Sequence, residues 1–155
     1  MDSDELRLAF RVDAAHSVSG LLGRPAGARA CLVLAHGAGA GMAHPFLRAV
    51  AGELAARRIA TLRYNFPYME TGGRRVDRPE LAQATVRAAV AEAARLAPEL
   101  PLLAGGKSFG GRMTSQAQAA APLAGVRGLA FLGFPLHPAG KPSDERARHL
   151  DEVQV

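Results

Sequence analysis

Two glycine-flanked strings hold the residues best suited to chemistry. The first, Gly106-Lys107-Ser108-Phe109-Gly110, has the G-x-S-x-G form and lies where an apolar strand pattern gives way to a helical one. A serine on such a tight strand-to-helix turn stands its hydroxyl above the carboxyl edge of a sheet. Glycines two residues to either side let the neighbouring backbone close in without a Cβ clash. The amides at the mouth of the following helix favour developing negative charge. The chemistry is attack of the serine oxygen on a carbonyl, which requires a histidine to take the proton and an acid to orient that histidine. The second string, His36-Gly37-Ala38-Gly39-Ala40-Gly41, is a glycine-rich turn between another apolar strand pattern and another helical one.

Both strings invite other readings, and both fit them badly. Gly106-Lys107-Ser108 matches the end of a phosphate-binding G-x-x-x-x-G-K-S loop, but the first glycine position holds Pro101, and residues 102–104 are apolar strand residues. The spaced glycines after His36 suggest a dinucleotide fingerprint, yet its third glycine position is His44. The next strand pattern also ends without the acid that holds a ribose hydroxyl. No cofactor motif and no metal cluster remain, so neither a cofactor nor a metal is expected. The single Cys31 sits in an apolar run and reads as a buried thiol.

The elements that must position these strings follow from periodicity. Residues 6–12 alternate and residues 17–22 follow a short polar turn, giving a strand hairpin. Residues 29–35 form a nearly continuous apolar run, the mark of a strand buried on both faces of a parallel sheet. A helical period over 45–57 opens on a proline, a strand follows over 59–64, and 65–78 is a polar, turn-rich surface loop of the kind that borders ligand sites. Within that loop Arg74 and Arg75 either face the site, favouring an acidic substrate, or sit on a solvated surface. Residues 79–96 form an alanine-rich helix with Asp77 and Glu80 as a capping arrangement. A short strand over 101–104, a helix over 109–120, a buried strand over 128–134 and a short charged helix over 143–152 complete the order. The result is one α/β domain spanning 1–155, a mostly parallel sheet with helices on both faces.

Composition excludes several partner classes. Of 155 residues 48% are hydrophobic and 21% charged, as in ordinary globular domains. The net charge of +5 comes mostly from scattered Arg without an aromatic-plus-basic stripe, so no nucleic acid partner is expected. The acidic, weakly apolar start is neither a signal nor a transit peptide, and no window suits a membrane span. The chain is expected to be soluble and cytoplasmic, with no membrane partner.

The chain resembles the α/β-hydrolase superfamily, specifically its small dienelactone-hydrolase-like branch, which includes testis-expressed and chromatin-complex hydrolase-like proteins. The carriers are LVLAHGAGAGM at 32–42, RYNFPYME at 63–70, GGKSFGGRM at 105–113 and GFPLHPAGKP at 133–142. The resemblance implies that Ser108 is the nucleophile of an esterase-like hydrolase acting on a small ester-type or thioester substrate. By the same resemblance the backbone amides of Ala38 and Phe109 supply the oxyanion hole, with Gly37 in the first role if the turn is shifted, and His36 holds the loop in shape.

In that fold the acid and histidine follow the serine, each at the end of a later strand. After Ser108 this sequence holds only His137 and His149, with Asp144, Glu145, Asp151 and Glu152 as acids, all in one loop and short helix. Glu145 and His149 have a helical pairing distance that suits a solvated face as well as a dyad. His137, just past a strand end, is the better candidate for lining the site. The domain therefore reads as C-terminally incomplete and lacking its last strands, with the usual acid and histidine beyond Val155. Two functions remain open, a serine hydrolase and a non-catalytic hydrolase-like binding module or inactive truncated hydrolase. Either way residues 128–134 form an exposed apolar edge, from which a homo-oligomer is expected.

Overall fold

Strands whose side chains alternate between two apolar layers build the centre of the sheet. The computed structural model describes residues 5–155. Its strands are β1 (Glu5–Arg11), β2 (Ser17–Gly23), β3 (Ala30–Ala35), β4 (Ile59–Tyr64), β5 (Leu102–Lys107) and β6 (Val126–Leu132), joined in the order β1-β2-β4-β3-β5-β6. The β1–β2 hairpin is antiparallel and β2 meets β4 antiparallel, whereas β4, β3, β5 and β6 all run parallel. The helices are α1 (Pro45–Ala56), α2 (Pro67–Glu70), α3 (Pro79–Leu96) and α4 (Phe109–Ala120), followed by a 3-10 helix, η1 (Glu145–Glu152). The mixed sheet with helices on both faces matches the expected α/β class.

The two layers divide β3 residue by residue. Cys31, Val33 and Ala35 pack into the larger cluster with Ala82, Val86, Ala89 and Val90 of α3 and Met113 and Ala117 of α4. Leu32 and Leu34 face the other way, onto Leu47 of α1. This period-2 division is why the run over 30–35 carries no polar residue. Each fully buried Leu or Val contributes about 1.5–3 kcal/mol relative to exposure. Helix α1 begins at Pro45, which lacks only an amide hydrogen that the first turn leaves unbonded anyway, and the His44 ring Nδ1 accepts the Phe46 N–H at 3.1 Å. Among the described residues no helix is long and apolar enough to cross a membrane.

Several boundaries differ from the periodicity reading. Strand β5 continues through Gly105 and Gly106 to Lys107 instead of ending at Ala104, because these glycines let neighbouring strands close in. Strand β6 begins at Val126 and ends at Leu132, two residues earlier than expected, and Gly133 already leaves it with φ +76°. The surface loop after β4 contains one helical turn, α2. Asp77 does not cap α3, whose N-cap Arg78 makes no side-chain cap bond; its carboxylate accepts the Tyr68 N–H at 3.1 Å instead. The charged segment near the end is 3-10 rather than α-helical.

Leu62 is fully buried on β4, whereas Leu6 on the edge strand β1 is 54% exposed. Leu62→Ala is therefore expected to cost about 2–5 kcal/mol in urea unfolding, and Leu6→Ala less than about 0.5 kcal/mol. Equal losses would show that the hairpin is packed as tightly as the centre.

Candidate active site

The turn at Ser108 is strained, and its surroundings hold it there. Ser108 has φ 53° and ψ −114°, in the left-handed region that a non-glycine residue occupies at a cost of about 1–3 kcal/mol. Its N–H donates to the Gly133 carbonyl at the end of β6 at 3.0 Å, and its own carbonyl accepts from Arg112 N–H at 3.0 Å to start α4. The glycines around it are required by close approach. A Cβ on Gly106 would lie 2.5 Å from the Ala35 carbonyl oxygen, one on Gly110 2.5 Å from that of His36, and one on Gly111 2.8 Å from that of Gly106. On Gly105 a Cβ would run into the Ala130 backbone. The G-x-S-x-G pattern accounts for two of these glycines, and the packing gives the reason for Gly105 and Gly111.

The glycine-rich turn after β3 lies against this elbow. An added Cβ on Gly37 would sit 3.9 Å from Ser108 Cβ. Residues 36–41, His44, Leu47, Lys107 and Ser108 line a pocket of about 370 Å³. Ala38 and Ser108 therefore share one cavity. Phe109 is buried at the first position of α4, where a helix amide has no intrahelical partner. Arg74 and Arg75 are exposed and do not line the pocket, which favours the solvated reading of that loop.

His36 is fully buried and both ring nitrogens are engaged. Nδ1–H donates to the Gly37 carbonyl at 2.7 Å, and Nε2 accepts the Phe66 N–H at 3.0 Å. The ring is thus neutral, and burial holds its pKa below the usual value of 6.5. Because a peptide unit is planar and trans, fixing the Gly37 carbonyl turns the Ala38 N–H to the opposite side.

The rest of the turn is clamped by residues 63–70. Tyr68 O–H donates to the Ala38 carbonyl at 2.7 Å, and burial pushes the phenol up to about 12, so it stays a donor. Asn65 Oδ1 accepts the Met42 N–H at 2.9 Å, and Arg63 Nη1 donates to the Met42 carbonyl at 2.7 Å. Arg63 is 1% exposed and ion-pairs with Glu5 of β1. Glu70 accepts from the Ser19 N–H at 2.6 Å and from Asn65 Nδ2 at 3.1 Å. Edge-on contacts of Phe66 with His36 at 5.0 Å and with Phe109 at 5.3 Å link the clamp to the elbow. The detectable signals were an arginine inside an apolar strand and aromatics at every second position over 64–68.

The histidines after Ser108 do not meet it. His137 Nδ1 bonds the adjacent Pro138 carbonyl at 2.9 Å. His149 Nε2 lies 2.6 Å from Ser115 Oγ, seven residues further along α4 than Ser108. The spacing of Glu145 and His149 suits an α-helix, but a 3-10 helix brings i and i+3 into line instead. Among the described residues no side chain hydrogen-bonds the Ser108 hydroxyl, and no group of three or more His, Cys, Asp or Glu side chains gathers as a metal site.

The family model for an alpha/beta hydrolase domain matches residues 28–155. No curated protein matches the sequence. Among solved structures, the dienelactone hydrolase of Anabaena variabilis is 24% identical with a TM-score of 0.71, over 83% of this chain and 62% of that one. An α/β serine hydrolase without a lid from Xanthomonas campestris is 18% identical with a TM-score of 0.71, over 93% and 66%. An alpha-beta serine hydrolase homologue from Coxiella burnetii is 16% identical with a TM-score of 0.70, over 90% and 67%. At these identities the likeness is one of fold, and the chain spans about three fifths to two thirds of the length of these proteins.

Burial of neutral His36 sets a pH dependence. Its folded pKa lies below the unfolded value, so its contribution is complete above pH 6.5 and is lost as pH falls from there through the folded pKa. His149, lowered by burial, adds the same sign. Stability measured at about pH 7.5 and about pH 5.5 is expected to fall in the wild type and to fall less steeply in His36→Gln, the remaining slope belonging to His149. An unchanged slope in His36→Gln would remove His36 as the titrating group.

Proposed function

The chain belongs to the alpha/beta hydrolase family, and on that basis we propose that it carries the nucleophile and oxyanion half of a serine hydrolase acting on small esters or thioesters. Ser108 Oγ attacks the acyl carbon and gives up its proton to a base, while the alcohol or thiol leaves and takes a proton in turn. Negative charge on the carbonyl oxygen falls on the N–H groups of Ala38 and Phe109. The observation that carries this reading is the strained Ser108 turn sharing a pocket with the Ala38 loop. A preformed oxyanion donor of this kind is worth about 2.7–4 kcal/mol of barrier.

A second reading, a binding module that keeps the fold without the chemistry, is favoured by the Ser108 hydroxyl having no base among the described residues. Intact-mass labelling with a fluorophosphonate separates the two. One adduct on the wild type, absent from folded Ser108→Ala, identifies an activated serine. No adduct on folded protein favours the module.

The edge of the sheet supports a proposal about assembly. Among the described residues strand β6 is paired only with β5, and Phe131 on it is 36% exposed. The free side of an edge strand of this composition recruits another strand. We assign it to a second copy of the chain, joined edge to edge. Light scattering at micromolar concentration is expected to give a dimer that Phe131→Lys weakens; a monodisperse wild-type monomer would sink the assignment.

A further inference from the structure

Several arginines of this chain sit in ion pairs, and others lie exposed on the surface. Arg24 pairs with Glu99, Arg57 with Glu53, Arg63 with Glu5, Arg95 with Glu92 and Arg148 with Asp144. Arg112 on α4 and Arg146 on η1 are different. Both are half-buried, and among the described residues neither guanidinium makes a hydrogen bond or an ion pair. Arg112 Nε is buried with no hydrogen-bond partner.

The absence is not for want of acids nearby. Asp144, Glu145, Asp151 and Glu152 all lie on or beside η1, yet the ion pair formed there is that of Asp144 with the exposed Arg148, at 3.4 Å. The charged group acting on Arg112 is instead the cationic Arg146. Burial first, and then the charge of Arg146, pull the Arg112 guanidinium below its ordinary pKa. His149 is fixed beside them by Ser115 at 2.6 Å. Half-buried positive charges left facing one another are unfavourable unless something negative joins them.

The position of the cluster matters as much as its charge. Side chains on a helix lean toward its N-terminus, so Arg112 reaches back over the first turn of α4, the turn that starts at Ser108. Its Cζ is accordingly 5.8 Å from the Phe109 ring centroid. We propose that Arg112 and Arg146, with His149 at their side, form a binding site for a small oxyanion, a carboxylate or phosphate group with at least two acceptor oxygens, next to the turn that carries Ser108. A planar guanidinium offers such a group two parallel N–H bonds. Neither arginine lines the Ser108 pocket, so the group belongs either to a substrate that extends beyond that pocket or to a free anion. Only its proximity to the nucleophile draws on the hydrolase reading; the binding itself does not.

The test is calorimetric titration of the whole chain with inorganic phosphate and with succinate, at ionic strength held constant with sodium chloride. Saturable binding of at least one is expected, weakened at least about tenfold in Arg112→Gln and in Arg146→Gln. Arg148→Gln, which removes an exposed and already paired arginine, is expected to bind as the wild type does. Should Arg112→Gln fail to fold, Arg112→Lys gives the same reading, since it keeps the charge and loses the fork. No saturable binding to folded wild type, or equal binding by the Arg112 variant, overturns the site. Slower fluorophosphonate labelling of Ser108 when the anion is bound assigns it to the substrate space, and unchanged labelling assigns it to a free anion; both uphold the site. Because the titration needs no turnover, its failure leaves the Ser108 reading standing, and an inert Ser108 leaves the titration interpretable.

Discussion

The approach of backbone to backbone around β3 governs this structure. Ala35 and His36 present carbonyls to positions 106 and 110 at distances that exclude any side chain there, while Gly105 meets β6 in the same way. That packing draws the end of β5 and the start of α4 against the end of β3, and the chain can make the turn between them only by placing Ser108 at positive φ. A reactive-looking serine and a tightly packed sheet edge are therefore one constraint seen from two sides. The Gly133 carbonyl, holding the Ser108 N–H from just past β6, completes it.

Around this rigid turn the second loop is shaped from behind. Glycines supply little stiffness of their own, so the conformation of residues 36–41 has to be imposed by neighbours. His36 holds one carbonyl, Tyr68 the next, and Asn65 and Arg63 hold the two polar groups of Met42. The segment after β4 is thus a mould for the loop after β3, which explains why a stretch that looks like solvent-facing turn buries Phe66, Pro67 and Tyr68.

Most of the architecture was legible from periodicity, because strands buried on both faces and amphipathic helices leave patterns that survive without three-dimensional context. Helices α3 and α4 and strand β4 coincide with the residues their patterns indicate. What escaped was set by tertiary contact. Glycine propensity argues for a turn at Gly105, whereas the Ala130 backbone beside it makes that glycine part of a strand. Asp77 has the right type and spacing for a helix cap but finds the Tyr68 amide first. The elbow at Ser108 was readable from spacing, yet the partners of His137 and His149 were not, since each depends on where a loop folds back.

The ion pair between Glu5 and Arg63 gives the first strand an importance its edge position conceals. Arg63 is buried and holds the Met42 carbonyl, so its charge is balanced from 58 residues away in sequence by the outermost strand of the sheet. Fraying of that strand would strand a guanidinium in the interior and slacken the turn beyond Ala38 in the same event. The outermost hairpin is thereby tied, through one buried guanidinium, to the turn whose residues 36–41 line the pocket.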